Sequence, residues 1–259
     1  MRPGTAVVVI DLHSHLLPGV DDGSRTVNQS VRVLRTFAAK GITDVACTPH
    51  LLASTVASGW PPEYQAAWEQ LNPNVPDGVR IHRGAEVMLD RPIPPAVAER
   101  RVTLAGSRYL LVEFNRMVPA EIVARALAEV TRTGLVPVLA HPERYSSCTV
   151  ENVQAWRDIG TVIQVDATTM TLPRSRGDRA RDLVRAGLAD ILAGDNHGDE
   201  RSVASALDWL GEHDGADQAT LLLETNPRAM LDDLTIYEVD PLPMKQSVWR
   251  VMRGWFETA

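Results

Sequence analysis

Asp11-Leu12-His13-Ser14-His15 directly follows a short apolar run, Val7-Val8-Val9-Ile10. Side chains alternate along a strand, so two histidines two residues apart turn to the same side of the backbone. Two neutral imidazoles held side by side can chelate one divalent cation. The next residues, Leu16-Leu17-Pro18-Gly19-Val20-Asp21-Asp22-Gly23, turn the chain back and bring two carboxylates toward the same spot. A lone His-x-His can equally be an accident of a hydrogen-bonded loop, so ligand-type residues elsewhere must decide.

Such residues recur. Of the 7 histidines, His13, His15, His50, His141 and His197 stand at or just past the ends of apolar runs. Glu86, Glu113 and Asp195 occupy the same kind of position. Unpaired buried carboxylates are costly, and metal ions compensate them. A polynuclear metal site is therefore expected if the fold gathers these ends. Arg144, three residues after His141, should reach the same place, and its planar fork suits a phosphoryl group. Arg201, just after His197, is a second candidate for that contact. His82 and His213 read as structural, and Cys47 as a core residue. Glu143 reads as a loop cap, the Trp60/Tyr64 pair as loop packing, and Asp166 as a strand end that nothing else marks.

The elements that must position these groups are visible as short β-rich runs: Ala6–Asp11, Ile42–Thr48, Val79–Val87, Tyr109–Phe114, Leu135–Ala140, Thr161–Asp166 and Asp190–Gly194. They are mostly apolar throughout, as strands buried on both faces of a parallel sheet are. Helical patterns lie between them: Ser24 to Lys40 with Ser24 as N-cap, Pro119 to Thr133 with Ile122, Ala126, Leu127 and Val130 on one stripe, and Gly177 to Ala186. Val203 to Leu210 and Thr220 to Leu223 look like later helices. Leu51 to Asp77 reads as a long insertion. Seven strands alternating with helices favour an α/β fold closed into a (β/α)7 barrel, with an open doubly wound sheet as the fallback. In a barrel the strand ends converge on one face. The expected organisation is a single domain over 1–259, with a tail from about 240 (Trp249, Trp255, Phe256) packing on the barrel or on another subunit.

The chain has 259 residues, 44% hydrophobic and 23% charged, which suits one large α/β barrel or two small domains. Its net charge of −7 and lack of a Lys/Arg run argue against nucleic-acid binding. Two cysteines, Cys47 and Cys148, leave no disulfide framework and no Cys-rich zinc motif. No signal peptide or membrane span is apparent, so a soluble cytoplasmic protein is expected.

Taken together, these segments resemble the polymerase-and-histidinol-phosphatase (PHP) superfamily. Within it they look most like the bacterial manganese-dependent tyrosine phosphatases of capsule and exopolysaccharide gene clusters. The resemblance rests on Asp11 to Gly23, then Thr48-Pro49-His50, Gly84-Ala85-Glu86-Val87, Leu111-Val112-Glu113-Phe114, Ala140-His141-Pro142-Glu143-Arg144-Tyr145 and Gly194-Asp195-Asn196-His197, in the family's order. It spans nearly the whole chain, and the first and fifth segments are the specific ones. It implies a distorted seven-stranded, TIM-like barrel holding three divalent metal ions. Carried over position by position, His13, His15, Glu86 and Asp195 would hold the first ion. Glu86 would bridge to a second, completed by Glu113 and His141. Asp22, chosen over Asp21, would hold the third with His50 and His197. Family members commonly read Ser-Asp-Ala-His where this chain has Gly194-Asp195-Asn196-His197, and 168–179 has lost much of the family pattern.

The activity implied is metal-dependent phosphomonoester hydrolysis, with metal-bound hydroxide attacking phosphorus in line with the leaving oxygen and Arg144 stabilising the phosphoryl group. The substrate implied is phosphotyrosine of a polysaccharide-synthesis tyrosine kinase, at its C-terminal tail. Mixed His and carboxylate ligands without thiolate suit Mn, Fe or Zn, and the resemblance points to Mn. A cysteine-based phosphatase is excluded because Cys-x5-Arg is missing: Gln154 lies six after Cys148 and Ala53 six after Cys47. Two alternatives stay open: a small-metabolite phosphatase of the histidinol-phosphatase kind, and a non-catalytic metal-binding regulatory partner. Homo-oligomerisation is also left open.

Overall fold

Each of the seven expected strand runs carries a strand among the described residues, the 79–87 run breaks in two, and a short extra strand follows the second run. The computed structural model describes residues 8–56, 59–93 and 102–243. The strands are β1 (Val9–Ser14), β2 (Ile42–Cys47), β3 (His50–Leu52), β4 (Arg80–Arg83), β5 (Glu86–Met88), β6 (Tyr109–Glu113), β7 (Val136–Ala140), β8 (Val162–Asp166) and β9 (Ile191–Ala193). All their pairings are parallel. One sheet runs β1-β2-β4 and the other β3-β5-β6-β7-β8-β9. Pro49, which has no N–H to offer a ladder, separates β2 from β3. Hydrogen bonds from Gly84 N–H to the Cys47 carbonyl and from Glu86 N–H to the Pro49 carbonyl, each 3.1 Å, carry pairing across the gap. The two sheets are thus one surface of seven runs.

The ends of that surface meet. Ser14 bridges Asn196 in parallel, and His15 N–H donates to the Asn196 carbonyl at 2.7 Å. Below this bridge the buried Asp11 carboxylate accepts from Gly194 N–H at 2.9 Å. A distorted (β/α)7 barrel results, joined between β9 and β1 by these few links. Ile10, Leu12, Ala46, Leu111, Val138, Val162 and Ile191 form an inner cluster together with Met230. A larger cluster packs the helices against the outside of the strands.

The helices are α1 (Val27–Ala39), α2 (Pro62–Leu71), α3 (Ala120–Arg132), α4 (Val150–Asp158), α5 (Ser175–Arg185), α6 (Ser205–Glu212), α7 (Ala216–Thr220) and α8 (Asn226–Leu231). Several expectations need correction. Thr26, not Ser24, caps α1: its hydroxyl accepts from Gln29 N–H. Ser24 instead lies fully buried, its N–H bonded to the His15 carbonyl at 2.9 Å. On α3 the buried stripe is Val123, Leu127 and Val130, while Ile122 is largely exposed. Helix α4 has no counterpart in the sequence reading, because it buries only Val153 and Trp156 and gives almost no periodic signal. The 51–77 insertion contains β3 and α2. The segment near Thr220 is a continuous run through α7, a π turn and α8.

Val239 and Leu242 are buried against the core, and Leu242 N–H donates to the Arg185 carbonyl at 3.1 Å. Trp249, Trp255 and Phe256 lie outside the described residues. Among the described residues no helix is long and apolar enough to cross a membrane.

Early in β2, Asp44 is fully buried and gathers two guanidiniums and an imidazole. His82 lies at 2.8 Å, Arg80 at 3.0 Å, and Arg228 of α8 closes on the other oxygen. Burial opposes ionisation, yet these partners hold the carboxyl well below its ordinary range. Asp44→Asn should therefore destabilise the fold by about 2 kcal/mol, less than the ~3–5 kcal/mol for breaking a fully buried pair because Arg80 is exposed. A group with a depressed folded-state pKa stabilises above its unfolded pKa and loses that contribution as pH falls. Thermal melts should show the gap between wild type and variant narrowing below about pH 4. A constant gap would remove the charge from the explanation.

Candidate metal centre

His13 and His15 come from the C-terminal end of β1, where the register slips. Asp11 pairs with Val45 and Ser14 with Cys47, so three steps on β1 match two on β2. Such a bulge re-aims side chains. The Nδ1 of His13 faces the Gln164 amide oxygen at 3.0 Å, and the Nδ1 of His15 faces the Asp21 carboxylate at 2.8 Å. Each acceptor fixes a proton on Nδ1 of the neutral ring, which leaves Nε2 as a lone pair. The two Nε2 atoms lie 3.2 Å apart and face each other. Two lone pairs cannot bond to one another; a cation between them satisfies both.

Carboxylates crowd the same point. Asp195 Oδ1 lies 3.3 Å from His13 Nε2 and 3.2 Å from His15 Nε2. Glu86 Oε2 lies 3.3 and 3.4 Å from the same two atoms. Glu86 Oε1 faces His141 Nε2 at 2.9 Å. Glu86 Oε2 and Glu113 Oε1 each stand 3.0 Å from His50 Nδ1. Asp22 Oδ1 is 3.5 Å from His50 and 3.4 Å from His197. The His197 Nδ1–H donates to the Asp195 carbonyl at 2.9 Å, which turns its Nε2 outward to Asp22.

All nine expected ligands thus fall into four overlapping groups: His15/Asp22/His50/His197, His13/Glu86/His141, His13/His15/Asp195 and His50/Glu86/Glu113. Glu86 Oε2, Asp195 Oδ1, His50 Nδ1 and His141 Nδ1 are buried without a hydrogen-bond partner. Orphaned buried polar atoms of this kind are rare in folded proteins, and their convergence fits divalent cations.

Electrostatics point the same way. Burial lowers the His50 pKa, but the Glu113 and Glu86 carboxylates outweigh it and push the imidazole up to about 10. Burial is likewise overcome at His15, raised by Asp195, Asp21 and Glu86. The carboxyls of Glu86 and Asp195 are held far below their ordinary range by the surrounding imidazoles, against the effect of burial. The pocket calls for positive charge, which protons or metal ions can supply.

Two candidate ligands sit on strained backbone. His141 (φ +35°) and Asp195 (φ +45°) are in the left-handed region without being glycine. Each such residue costs about 1–3 kcal/mol and persists only where its surroundings hold it. Gly23 is required for a different reason: a Cβ there would lie 2.0 Å from the His15 carbonyl oxygen.

The mouth is an open cavity of about 590 Å³, lined by most of these ligands and by Arg144. Leu51, Met88 and Phe114 make an apolar wall, and Arg116 stands at the rim. Arg144 donates to Asp166 at 2.7 Å and also to Asp195. Arg201 is not in this cavity. It pairs with Asp199 at 2.8 Å and lines a separate one with Lys40 and Thr168. Its loop is braced away from the mouth by Asn196, whose amide donates to the Arg201 carbonyl at 2.6 Å.

The residues that orient the ligands carry no local signal: Gln164, Asp21 and Asp11 show no distinguishing pattern beyond the neighbouring motif. Asp11 accepts from His13 N–H, and burial raises its pKa to about 7. Asp166 is fixed by the N–H and hydroxyl groups of Thr168 and Thr169 and presents an oxygen to Arg144. Glu143 is not a loop cap: it is fully buried, accepts from Asp166 N–H at 3.1 Å, and is pushed up to about 8, chiefly by burial. His82 and His213 are structural, the latter stacked on Trp209 at 4.1 Å. Trp60 packs edge-on against Tyr64 and Trp68, and the Tyr64 hydroxyl donates to the His50 carbonyl.

Residues 9–232 match the family model described as capsular polysaccharide synthesis, CpsB/CapC. The tyrosine-protein phosphatase CpsB of Streptococcus pneumoniae is 27% identical over 248 residues, covering 88% of this chain and all of that protein. The tyrosine-protein phosphatase YwqE of Bacillus subtilis (strain 168) is 26% identical over 259 residues, covering 96% and 100%. A structure from the work on YwqE and CpsB, described as unique metal-dependent tyrosine phosphatases, superposes with a TM-score of 0.78 at 24% identity, over 92% of this chain and all of that one. A phosphotriesterase from Mycobacterium tuberculosis shares the fold at a TM-score of 0.57 and 12% identity, over 89% and 96%.

Proposed function

Because this chain belongs to the CpsB/CapC family of capsular polysaccharide synthesis, we propose that it is a metal-dependent protein-tyrosine phosphatase. Its substrate is phosphotyrosine on a tyrosine kinase of polysaccharide synthesis, at the C-terminal tail, and it works in the cytoplasm as a single barrel. The observation that carries this reading is the convergence of His13 Nε2 and His15 Nε2 with Glu86 Oε2 and Asp195 Oδ1, four atoms that present only lone pairs when both imidazoles are neutral.

Three ions fit the donor set, manganese being the preferred metal. His13, His15, Glu86 and Asp195 would hold one, Glu86 with Glu113 and His141 a second, and Asp22, His50 and His197 a third. Divalent ions held there would lower the pKa of bound water from 15.7 to about 7 and offset the charge of phosphate oxygens. The chain's own residues do the rest. Gln164 and Asp21 lock the His13 and His15 rings in the tautomer that presents Nε2. Arg144 places its guanidinium at the mouth, where a phosphoryl group can take two parallel N–H bonds. Leu51, Met88 and Phe114 offer an apolar wall to an aromatic leaving group. A phenolate leaves with a pKa near 10, so no protein acid is needed. The cavity is open rather than enclosed, which suits a peptide-borne phosphate better than a small metabolite.

The test is turnover of a phosphotyrosyl peptide and of histidinol phosphate by metal-analysed protein, with and without Mn²⁺ and after chelation. Metal-dependent hydrolysis that favours the peptide is expected. Metal-loaded protein inactive on every phosphomonoester would sink the proposal, and preference for histidinol phosphate would move it to the metabolite class.

A further inference from the structure

The chain carries a net charge of −7, yet arginines crowd one side of the mouth. Arg116 lies in the loop after β6 and lines the cavity. That loop is tied to the turn carrying Arg144, because Ser146 N–H donates to the Arg116 carbonyl at 2.8 Å. The first turn of α5 is clamped to the same place: Arg179 donates twice to the Glu143 carbonyl, at 2.9 and 2.6 Å. Arg176, one turn before Arg179, shares its helix face. Three elements thus bring Arg176 close to Arg116 and Arg144, the two arginines that line the mouth.

Arg116 and Arg176 are exposed, and among the described residues neither makes an ion pair. The nearby acids are already committed. Glu143 lies fully buried beneath the rim, and Asp178 is paired with Arg181 at 2.6 Å. Desolvation and the guanidiniums of Arg116, Arg144 and Arg179 all lower the Arg176 pKa, a measure of how closely these cations stand. Surface arginines normally interleave with acids; an unneutralised set beside a reaction mouth lacks a partner.

We propose that Arg116 and Arg176 form a docking rim for acidic side chains flanking the phosphotyrosine of the protein substrate. This deepens the phosphatase reading and rests on it. An extended peptide advances about 3.3 Å per residue, so side chains two or three places from the phosphotyrosine lie about 7–10 Å away. Glu or Asp at those places would meet guanidinium forks, whereas Lys or Arg would be repelled.

Manganese-loaded full-length protein should be assayed on two phosphotyrosyl peptides, one with Glu at the flanking positions and one with Gln. An exposed ion pair is worth up to a few fold, so kcat/KM should favour the Glu peptide by about fivefold or more, mostly through KM. The preference should fade in about 1 M salt, where the Debye length is about 3 Å. Arg176→Glu should erase or reverse it while hydrolysing p-nitrophenyl phosphate within about twofold of wild type, and Arg116→Gln should weaken it. Equal turnover of the two peptides by wild type, or a preference unchanged in both variants, overturns the rim. Wild type inactive on p-nitrophenyl phosphate as well overturns the phosphatase reading beneath it, a distinguishable result.

Discussion

Glu86→Gln should lower kcat by at least about a hundredfold and reduce bound metal in the purified protein. The estimate follows from the position of Glu86. Both its oxygens are used: Oε1 faces His141, and Oε2 faces His13, His15 and His50. It is the one side chain shared by two of the proposed sites. Loss of a residue that merely orients a ligand typically costs about 10–100-fold in metal affinity or activity, so loss of a bridging ligand should exceed that range. Gln keeps the shape and removes the charge, which leaves buried imidazoles without their main counter-ion. Elemental analysis and steady-state turnover on one preparation provide the check. A variant with full metal content and an unchanged rate would take Glu86 out of the centre.

Arg144→Ala should behave differently: kcat should fall by at least about tenfold, toward the 10²–10³ lost when a single charge-stabilising donor is removed, with metal content unchanged. Among the described residues, Asp195 is the one proposed ligand with which Arg144 pairs. Asp166, pinned by Thr168 and Thr169, supplies its second anchor. Removing the guanidinium therefore takes away a phosphoryl contact and leaves the nine proposed ligands in place. Arg144→Lys should recover only part of the rate, because an ammonium lacks the planar fork. An unaltered rate in Arg144→Ala would remove the residue from the mechanism; a parallel loss of metal would recast it as a support for Asp195.

Much of this was legible in the chain because the informative groups sit at strand ends. A buried parallel strand reads as an apolar run, and a histidine or carboxylate at its end stands out against it. This is why the nine residues that converge in the structure stand out in the chain as ligand-type groups. Helix α4 was not legible, since two buried residues in nine give no stripe. Nor was Arg201: its place in the sequence beside His197 suggests the mouth, while Asn196 and Asp199 hold its loop elsewhere.

Sequence by itself determined the types of chemistry available. It fixed the donor set, the acidic balance and the alternation of apolar runs that makes a barrel the natural fold. Those depend on residue identity and local period, which neighbouring residues encode. Only the tertiary structure decided which atom of each ring points where. Gln164 reaches His13 across 151 residues of chain, and Asp21, rather than a metal, holds His15 Nδ1. It likewise brought Arg176 close to Arg116 and Arg144. Such contacts join residues far apart in the chain. Their distances follow from how the strands close and how α5 docks, which no local pattern records.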